Sequence, residues 1–439
     1  MRKVILPLGL TMLSCNLAFA QPLELPTFTQ TLPVSVSNTF PVESVESISF
    51  LRALELASSA SPELAVARRE LAASRALISQ AGARPNPILS ASQEGIRGDA
   101  PETTLELSQE IELGGKRSAR IEAAQRALDV AAADLQDAQA RLRGAVMGAY
   151  YDVLTAQERL DLAQAASKLA KQAVNVANRR VRAGMVSPVE ETRARVAATG
   201  VQVELAQATA ELEAARTRLA ANWGNPQPRF ERVKEPAEAV PPLPELAELY
   251  SRLNDSAQLT RARREAERRR AALKLERTNR FSNVTVSVGA QRSDEYNGTL
   301  GLVSISMPLP LFDRNQGNIG AAQERAYQAQ DELNAVHIRL KSELSQAHMR
   351  LRTARQQFEL LRNDMLPSAQ SAYEAASKGF ELGKFTFLDV LDAQRTLFQA
   401  RSQYLSALSQ ANQAAAEISR IVGDGSAVLT SATQPWVSV

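Results

Sequence analysis

Cysteine is almost missing from this chain of 439 residues; its single copy, Cys15, sits near the N-terminus. Disulfides and thiolate metal sites are therefore closed to the rest of the chain. Histidine is nearly as scarce. The two copies, His337 and His348, would share one face of a helix but stand ~16 Å apart along it, too far to hold one metal ion. Each reads as a surface or packing residue. There is no Ser/His/Asp grouping and no glycine loop of the kind that cradles phosphate, so the sequence offers no enzyme chemistry and calls for no cofactor. Past the first twenty residues, no apolar run approaches the ~18 residues of a membrane helix. Charge of one sign is lacking too. Without Arg2 and Lys3, 49 basic residues face 48 acidic ones, which gives no reason to expect a nucleic-acid partner. The conspicuous run Arg261–Arg270 is interleaved with Glu265 and Glu267 at helical spacing and reads as a solvated helix face.

Arg2 and Lys3 precede an apolar stretch from Val4 to Leu13, and Ala18-Phe19-Ala20 offers a small-x-small cleavage site before Gln21. That is the pattern of a secretory signal peptide, and cleavage between Ala20 and Gln21 removes Cys15. Lipid attachment at Cys15 is the weaker alternative, because Met12-Leu13-Ser14 lacks the usual Leu-small-small lead.

Proline is absent between Glu102 and Ser187, and Lys116 to Ala183 is rich in Ala, Leu, Gln, Arg and Glu. These are strong helix formers, and at ~1.5 Å per residue they predict a rod of roughly 100 Å. Gly144 and Gly148 weaken its middle. At its far end the chain turns sharply, and it does so twice. Val181–Glu191 aligns with Phe380–Val390 about 199 residues later, pairing Gly184 with Gly383, Ser187 with Thr386 and Glu190 with Asp389. A glycine that ends one helix, a hydroxyl that caps the next and an acid three residues on predict the tip of a helical hairpin, with Pro188 at the first helical position.

The rods are fed by alternating segments. Leu105, Leu107, Ile111 and Leu113 fall on one face of residues 104–113, and Thr104, Glu106, Ser108, Glu110 and Glu112 on the other. Val303, Ile305, Met307, Leu309 and Leu311 repeat the pattern over 301–311, with Ser304 and Ser306 opposite. Weaker strands are expected at 88–96 and 281–290. Four strands with one apolar face suit either a small soluble sheet or a share of a membrane barrel; four alone cannot close a barrel. A polar lead (21–46), a first repeat (47–223), a proline-rich linker (224–244) with no regular element, a second repeat (245–423) and a tail (424–439) complete the organisation. Pro367 in the second rod, where Lys168 stands in the first, predicts a kink.

Both tips, especially Thr386–Gln394, resemble those of the TolC family of outer-membrane efflux channels. Ser108–Arg117 and Met307–Gly317 resemble its CzcC-like branch, which serves heavy-metal resistance, and the likeness spans nearly all of the chain after the signal peptide. The resemblance implies a mainly α fold, a long-helix barrel of coiled-coil hairpins reaching through the periplasm. It further implies a homotrimer whose pooled strands form a small transmembrane β-barrel in the outer membrane. A periplasmic membrane-fusion adaptor and an inner-membrane pump of the resistance-nodulation-division type are the implied partners. Gly184, Ser187, Gly383 and Thr386 then shape the docking tips, and Glu190, Asp389 and Asp392 become acids of the periplasmic mouth; for Glu190 and Asp389 helix capping and the helix dipole are the favoured reading, and both roles can hold together. The expected function is passive exit of divalent cations; the same duct for a drug pump or type I secretion, and a periplasmic coiled-coil scaffold, are the alternatives.

Overall fold

The computed structural model describes residues 47–94, 102–234, 240–293, 298–382, 384–385 and 387–423. The signal peptide with Cys15, Ala20 and Gln21, and the tip residues Gly383 and Thr386, lie outside them. Strands β1 (Ser47–Ile48), β2 (Ile88–Glu94), β3 (Glu102–Ile111), β4 (Arg232–Val233), β5 (Val284–Ser293) and β6 (Gly298–Ser306) alternate with helices α1 (Phe50–Ala60), α2 (Pro62–Gly82), α3 (Lys116–Arg182), α4 (Pro188–Ala221), α5 (Leu246–Arg252), α6 (Ala257–Asn279), α7 (Gln316–Leu360), α8 (Leu366–Glu381) and α9 (Phe387–Val422). The fold is mainly helical, and the two longest helices, α3 and α7, follow strands β3 and β6.

The four longer strands form one antiparallel sheet in the order β2-β3-β5-β6. Its register stacks Leu89, Leu107, Val288 and Val303 on one face and Ile88, Ser108, Ser287 and Ser304 on the other. The apolar row is exposed, with Val303 and Ile305 more than 70% accessible. A soluble sheet would bury such a face; this one turns it outward, as a strand facing lipid does. β6 stops at Ser306, short of the expected 311, because Pro308 and Pro310 have no N–H to give a ladder. Leu309 and Leu311 remain exposed on the extended exit segment.

α3 is continuous for 67 residues, so Gly144 and Gly148 do not break it. Gly144 instead permits close packing: a Cβ there would lie 3.2 Å from Cβ of Arg420 on α9. The second rod contains a π-helical turn, Leu361–Met365, immediately before Pro367. The irregularity falls where a kink or break was expected: the regular α-helix gives way to a π turn that reorganises the bonds around the proline's missing N–H, and helical structure resumes in α8.

The linker also departs from expectation. Arg232 and Val233 form β4, paired in parallel with β1 despite the surrounding prolines. Gln157 of α3 clasps this strand, accepting from the Val233 N–H (2.7 Å), and the Tyr150 hydroxyl donates to the Ile48 carbonyl (3.3 Å). Tyr150, Phe50, Trp223 and Phe230 are all buried around this junction. Leu340, Leu344, Leu351 and Ile418 fill an equivalent core in the second repeat.

Side by side, α2 and α4 pack on α3, α3 on α6 and α9, and α7 on both α6 and α9. The helices make a wall. α3 lies inside it, while α2 with α4 and α7 form its two margins.

Candidate functional site: the hairpin tips and the strand collar

At the first tip, α3 ends in a left-handed Gly184 (φ 70°). The Gly184 N–H reaches the Val181 carbonyl and the Met185 N–H reaches that of Arg180, both at 2.9 Å. These two bonds close a Schellman motif that satisfies the orphan carbonyls of the rod. Ser187 caps α4 by accepting from the Val189 N–H (3.4 Å), and Pro188 begins the helix. Glu190 is drawn to Arg193 (3.3 Å). Its neighbour Glu191 joins the two arms, accepting from the Asn178 amide of α3 (2.9 Å) and pairing with Arg195.

The second tip reverses the chain differently. The N–H groups of Lys384 (2.8 Å) and Phe385 (3.3 Å) both reach the Gly379 carbonyl. Phe385 folds back over Gly379 so closely that a Cβ on the glycine would stand 2.0 Å from the ring. Asp389 and Asp392 sit one turn apart near the start of α9, both exposed. One cation joins the tips to each other: the Arg180 guanidinium lies 3.9 Å from the centroid of the Phe380 ring and donates to the Phe380 carbonyl (3.3 Å). Gly184, Ser187 and Glu190 therefore cluster at one turn and Asp389 and Asp392 at the other, with Arg180 as the tie.

Sequence pattern did not disclose Arg180, Phe380, Asn178, Glu191 or Phe385. The aromatic at 380 was visible only as an aligned position, and nothing about a lone Arg in a helix of many arginines marks it out.

At the opposite end, both rods start from left-handed residues, Gly115 (φ 76°) and Asn315 (φ 60°). Arg120 bonds Glu112 at 2.5 and 3.1 Å and the Ala81 carbonyl at 2.8 Å. That hydrogen bond, more than the surrounding charge, holds the Glu112 carboxyl below the usual carboxylate range. Lys116 donates to Asn283 (2.6 Å) and Asn315 to the Glu276 carbonyl (2.9 Å), so the helix ends under the sheet are laced into one collar. Glu112, Lys116 and Asn315 of the strand-exit motifs thus hold the collar together.

Among the described residues no group of three or more His, Cys, Asp or Glu side chains is arranged to hold a metal, and no helix is long and apolar enough to cross a membrane. His348 donates its Nε2–H to the Pro244 carbonyl (3.0 Å), fastening the linker to α7.

The arrangement matches known proteins closely. The family profile for "Outer membrane efflux protein" matches residues 53–225 and 249–424. The cobalt-zinc-cadmium resistance protein CzcC of Cupriavidus metallidurans is 42% identical over 427 residues, covering 96% of this chain and all of the relative. The nickel-cobalt-cadmium resistance protein NccC of Alcaligenes xylosoxydans is 24% identical, covering 68% of this chain and 69% of the relative. In fold, the open-state MtrE outer membrane channel of Neisseria gonorrhoeae superposes with a TM-score of 0.72 at 19% identity, covering 88% of this chain and 94% of that one. The chain belongs to the outer membrane efflux protein family, the TolC-type channels of the outer membrane.

Proposed function

We propose that this channel is the trimeric exit duct of a proton-driven tripartite pump that exports divalent cations of the cobalt, zinc and cadmium kind. The observation that carries the reading is the 42% identity to CzcC along essentially the full length of both chains. The open β2 and β6 edges support the trimer, since unpaired strand edges do not survive in lipid and three copies pool twelve strands. The tips at Gly184 and Gly383, with Ser187 and Thr386, dock a periplasmic membrane-fusion adaptor, which connects the duct to an inner-membrane pump of the resistance-nodulation-division type. The cation is cargo that passes through, and Asp389 and Asp392, repeated around a threefold axis, favour its entry over that of anions.

Deletion of the gene, with complementation, tests this. Tolerance to cobalt, zinc and cadmium should fall while tolerance to lipophilic drugs and export of large polypeptides stay unchanged. Loss of drug tolerance with metal tolerance intact would transfer the duct to a drug pump, and recovery of the mature protein from the soluble periplasm would make it a scaffold.

A further inference from the structure

Each of the four junctions between the sheet and the helices carries an exposed arginine: Arg84 four residues before β2, Arg117 six after β3, Arg280 four before β5 and Arg314 eight after β6. None of the four is ion-paired among the described residues. The carboxylates at the same level are bonded within the collar. Glu110 accepts from the Asn283 amide (2.5 Å), Glu112 from Arg120, Glu276 from the Asn315 amide (2.7 Å) and Asp313 from the Asn315 N–H (2.8 Å). The collar therefore offers its surroundings cationic side chains and engages its anionic ones internally.

Three of these arginines are held in place. The Nε–H of Arg117 donates to the Gly82 carbonyl (2.7 Å) and that of Arg314 to the Pro310 carbonyl (3.3 Å), which leaves the terminal nitrogens of both guanidinium groups for a ligand. A planar fork presented in this way suits two oxygens of one phosphate. The Arg280 guanidinium lies over the Phe281 ring, 4.7 Å from its centroid, and Phe281 in turn covers Gly114, where a Cβ would stand 2.5 Å from the ring. Phe281 thereby joins the α6–β5 junction to the β3–α3 junction, and Arg280 and Arg117 belong to one surface.

Apolar residues stand on the sheet side of the arginines. Leu89, Leu113 and Phe281 are exposed, and Phe312 is 91% exposed. Leu309 and Leu311 carry the apolar row of β6 onward to Phe312, so the outward face of the strands runs without interruption into the collar. An apolar zone that ends in exposed arginines, with polar helices beyond, is the profile of a protein at the boundary between hydrocarbon and headgroups. A water-soluble anion would engage the arginines and leave Phe312 uncovered. We propose that the collar is a binding site for anionic phospholipid of the periplasmic leaflet, with Arg84, Arg117, Arg280 and Arg314 holding headgroup phosphates and Phe312 seated among the acyl chains. The proposal rests on the outer-membrane placement of the strands and is independent of what the duct carries.

Native mass spectrometry of the purified channel, titrated in detergent with phosphatidylglycerol and separately with phosphatidylcholine, tests this. Phosphatidylglycerol should bind more tightly, and Arg84→Gln, Arg117→Gln, Arg280→Gln and Arg314→Gln should each weaken it by about five-fold, the attraction of one basic side chain to an anionic leaflet. Phosphatidylcholine binding should change little. The four corresponding Arg→Lys exchanges, combined, should keep most of the preference, because the charge remains. Arg280→Gln alone and Arg314→Gln alone decide the matter should the combined Gln variant fail to assemble; an unchanged preference in both would overturn the proposal. An equal loss in Arg352→Gln with Arg362→Gln, exposed arginines roughly 50 Å or more down the second rod, would also overturn it by making the effect one of overall charge. Displacement of the lipid by millimolar glycerol phosphate would make the collar a site for free phosphate esters and overturn lipid as its occupant. Each of these failures leaves the duct and its cargo to the deletion test above.

Discussion

The two rods share a sequence plan and differ in surroundings. α3 meets helices on both flanks, and buried side chains recur from Ala119 to Ala177, including the polar Asp137, Gln157 and Ser167. α7 packs on α6 and α9 along one flank, carries α5 and the linker over its middle, and leaves Tyr327, Ile338, Met349 and Leu360 exposed. Only the marginal rod carries a π turn and a proline. An interior helix must satisfy two flanks in strict register, so local rewinding displaces contacts on both; a helix at a margin can rewind with fewer contacts at stake. The difference ties local rewinding of a helix to the more open part of the wall.

Exchanging the proline breaks this comparison most directly. Lys168→Pro places a proline in α3 with no π turn to receive it, and it should destabilise by about 3 kcal/mol or more, because a helix-interior proline removes one bond and clashes with the preceding turn. Pro367→Ala should change stability by less than about 1 kcal/mol. Thermal unfolding of the purified variants measures both. Equal losses in the two rods would show that position in the wall does not matter.

The tips offer a smaller contrast of the same kind. Gly184 has a left-handed φ and open space around it, so Gly184→Val meets a conformational penalty alone, roughly 1 kcal/mol or more. Gly379 has no such φ but lies beneath Phe385, so Gly379→Ala should displace the ring at a cost of about 1–3 kcal/mol. Phe385→Ala should rescue Gly379→Ala and leave Gly184→Val unaffected. Metal tolerance of cells carrying these variants, set against normal trimer yield, reads out the tips; full tolerance in all of them would mean that the tips are not the docking site.

How much of this was legible in the residues follows from the range of each signal. Period-two alternation placed all four long strands, and the glycine-hydroxyl-acid pattern placed the first turn, because these are determined by bonds between residues near in sequence. β4 was not legible. Its partner is far away in sequence, and it is held by Gln157, a residue whose side chain mimics a strand only once the fold exists. Strand length failed at Met307 because hydrophobic alternation says nothing about the missing N–H groups of Pro308 and Pro310. At the first tip, pattern supplied the backbone; it missed the tie between tips, since Arg180 meets Phe380 only when the two hairpins stand together.

The acids sharpen the comparison between tips. Glu190 is half-buried and pairs with Arg193; Asp389 and Asp392 are both exposed, one turn apart on α9. In planar bilayers, Asp389→Asn with Asp392→Asn should lose cation preference and block by multivalent cations, while Glu190→Gln should leave both unchanged. Stability should shift by no more than about 0.3–1 kcal/mol in any of them, the range of a first-turn charge on the helix dipole. Selectivity identical to the unaltered channel in the double variant would make these acids caps only.

The smallest effect distinguishes a buried acid of the interior rod from one on its neighbour. Burial pushes the Asp137 carboxyl above its ordinary value of 3.8 even with Arg141 beside it. An acid with a raised native pKa holds its proton more tightly when folded, so its contribution is most favourable at low pH and is lost as pH rises from that ordinary value through the native one. Burial acts in the same direction on Glu265 of α6, but hydrogen bonds and charge from Arg268 and Arg269 outweigh it and pull that carboxyl below 4.5. Its stabilisation is present above 4.5 and fades as pH falls through the lower native value. Unfolding temperatures of Asp137→Asn and Glu265→Gln, measured against the unaltered protein from acid to neutral pH, should therefore diverge. Relative stability should rise with pH for Asp137→Asn and fall for Glu265→Gln. Parallel slopes would show that the arginines, not burial, decide the state of both acids.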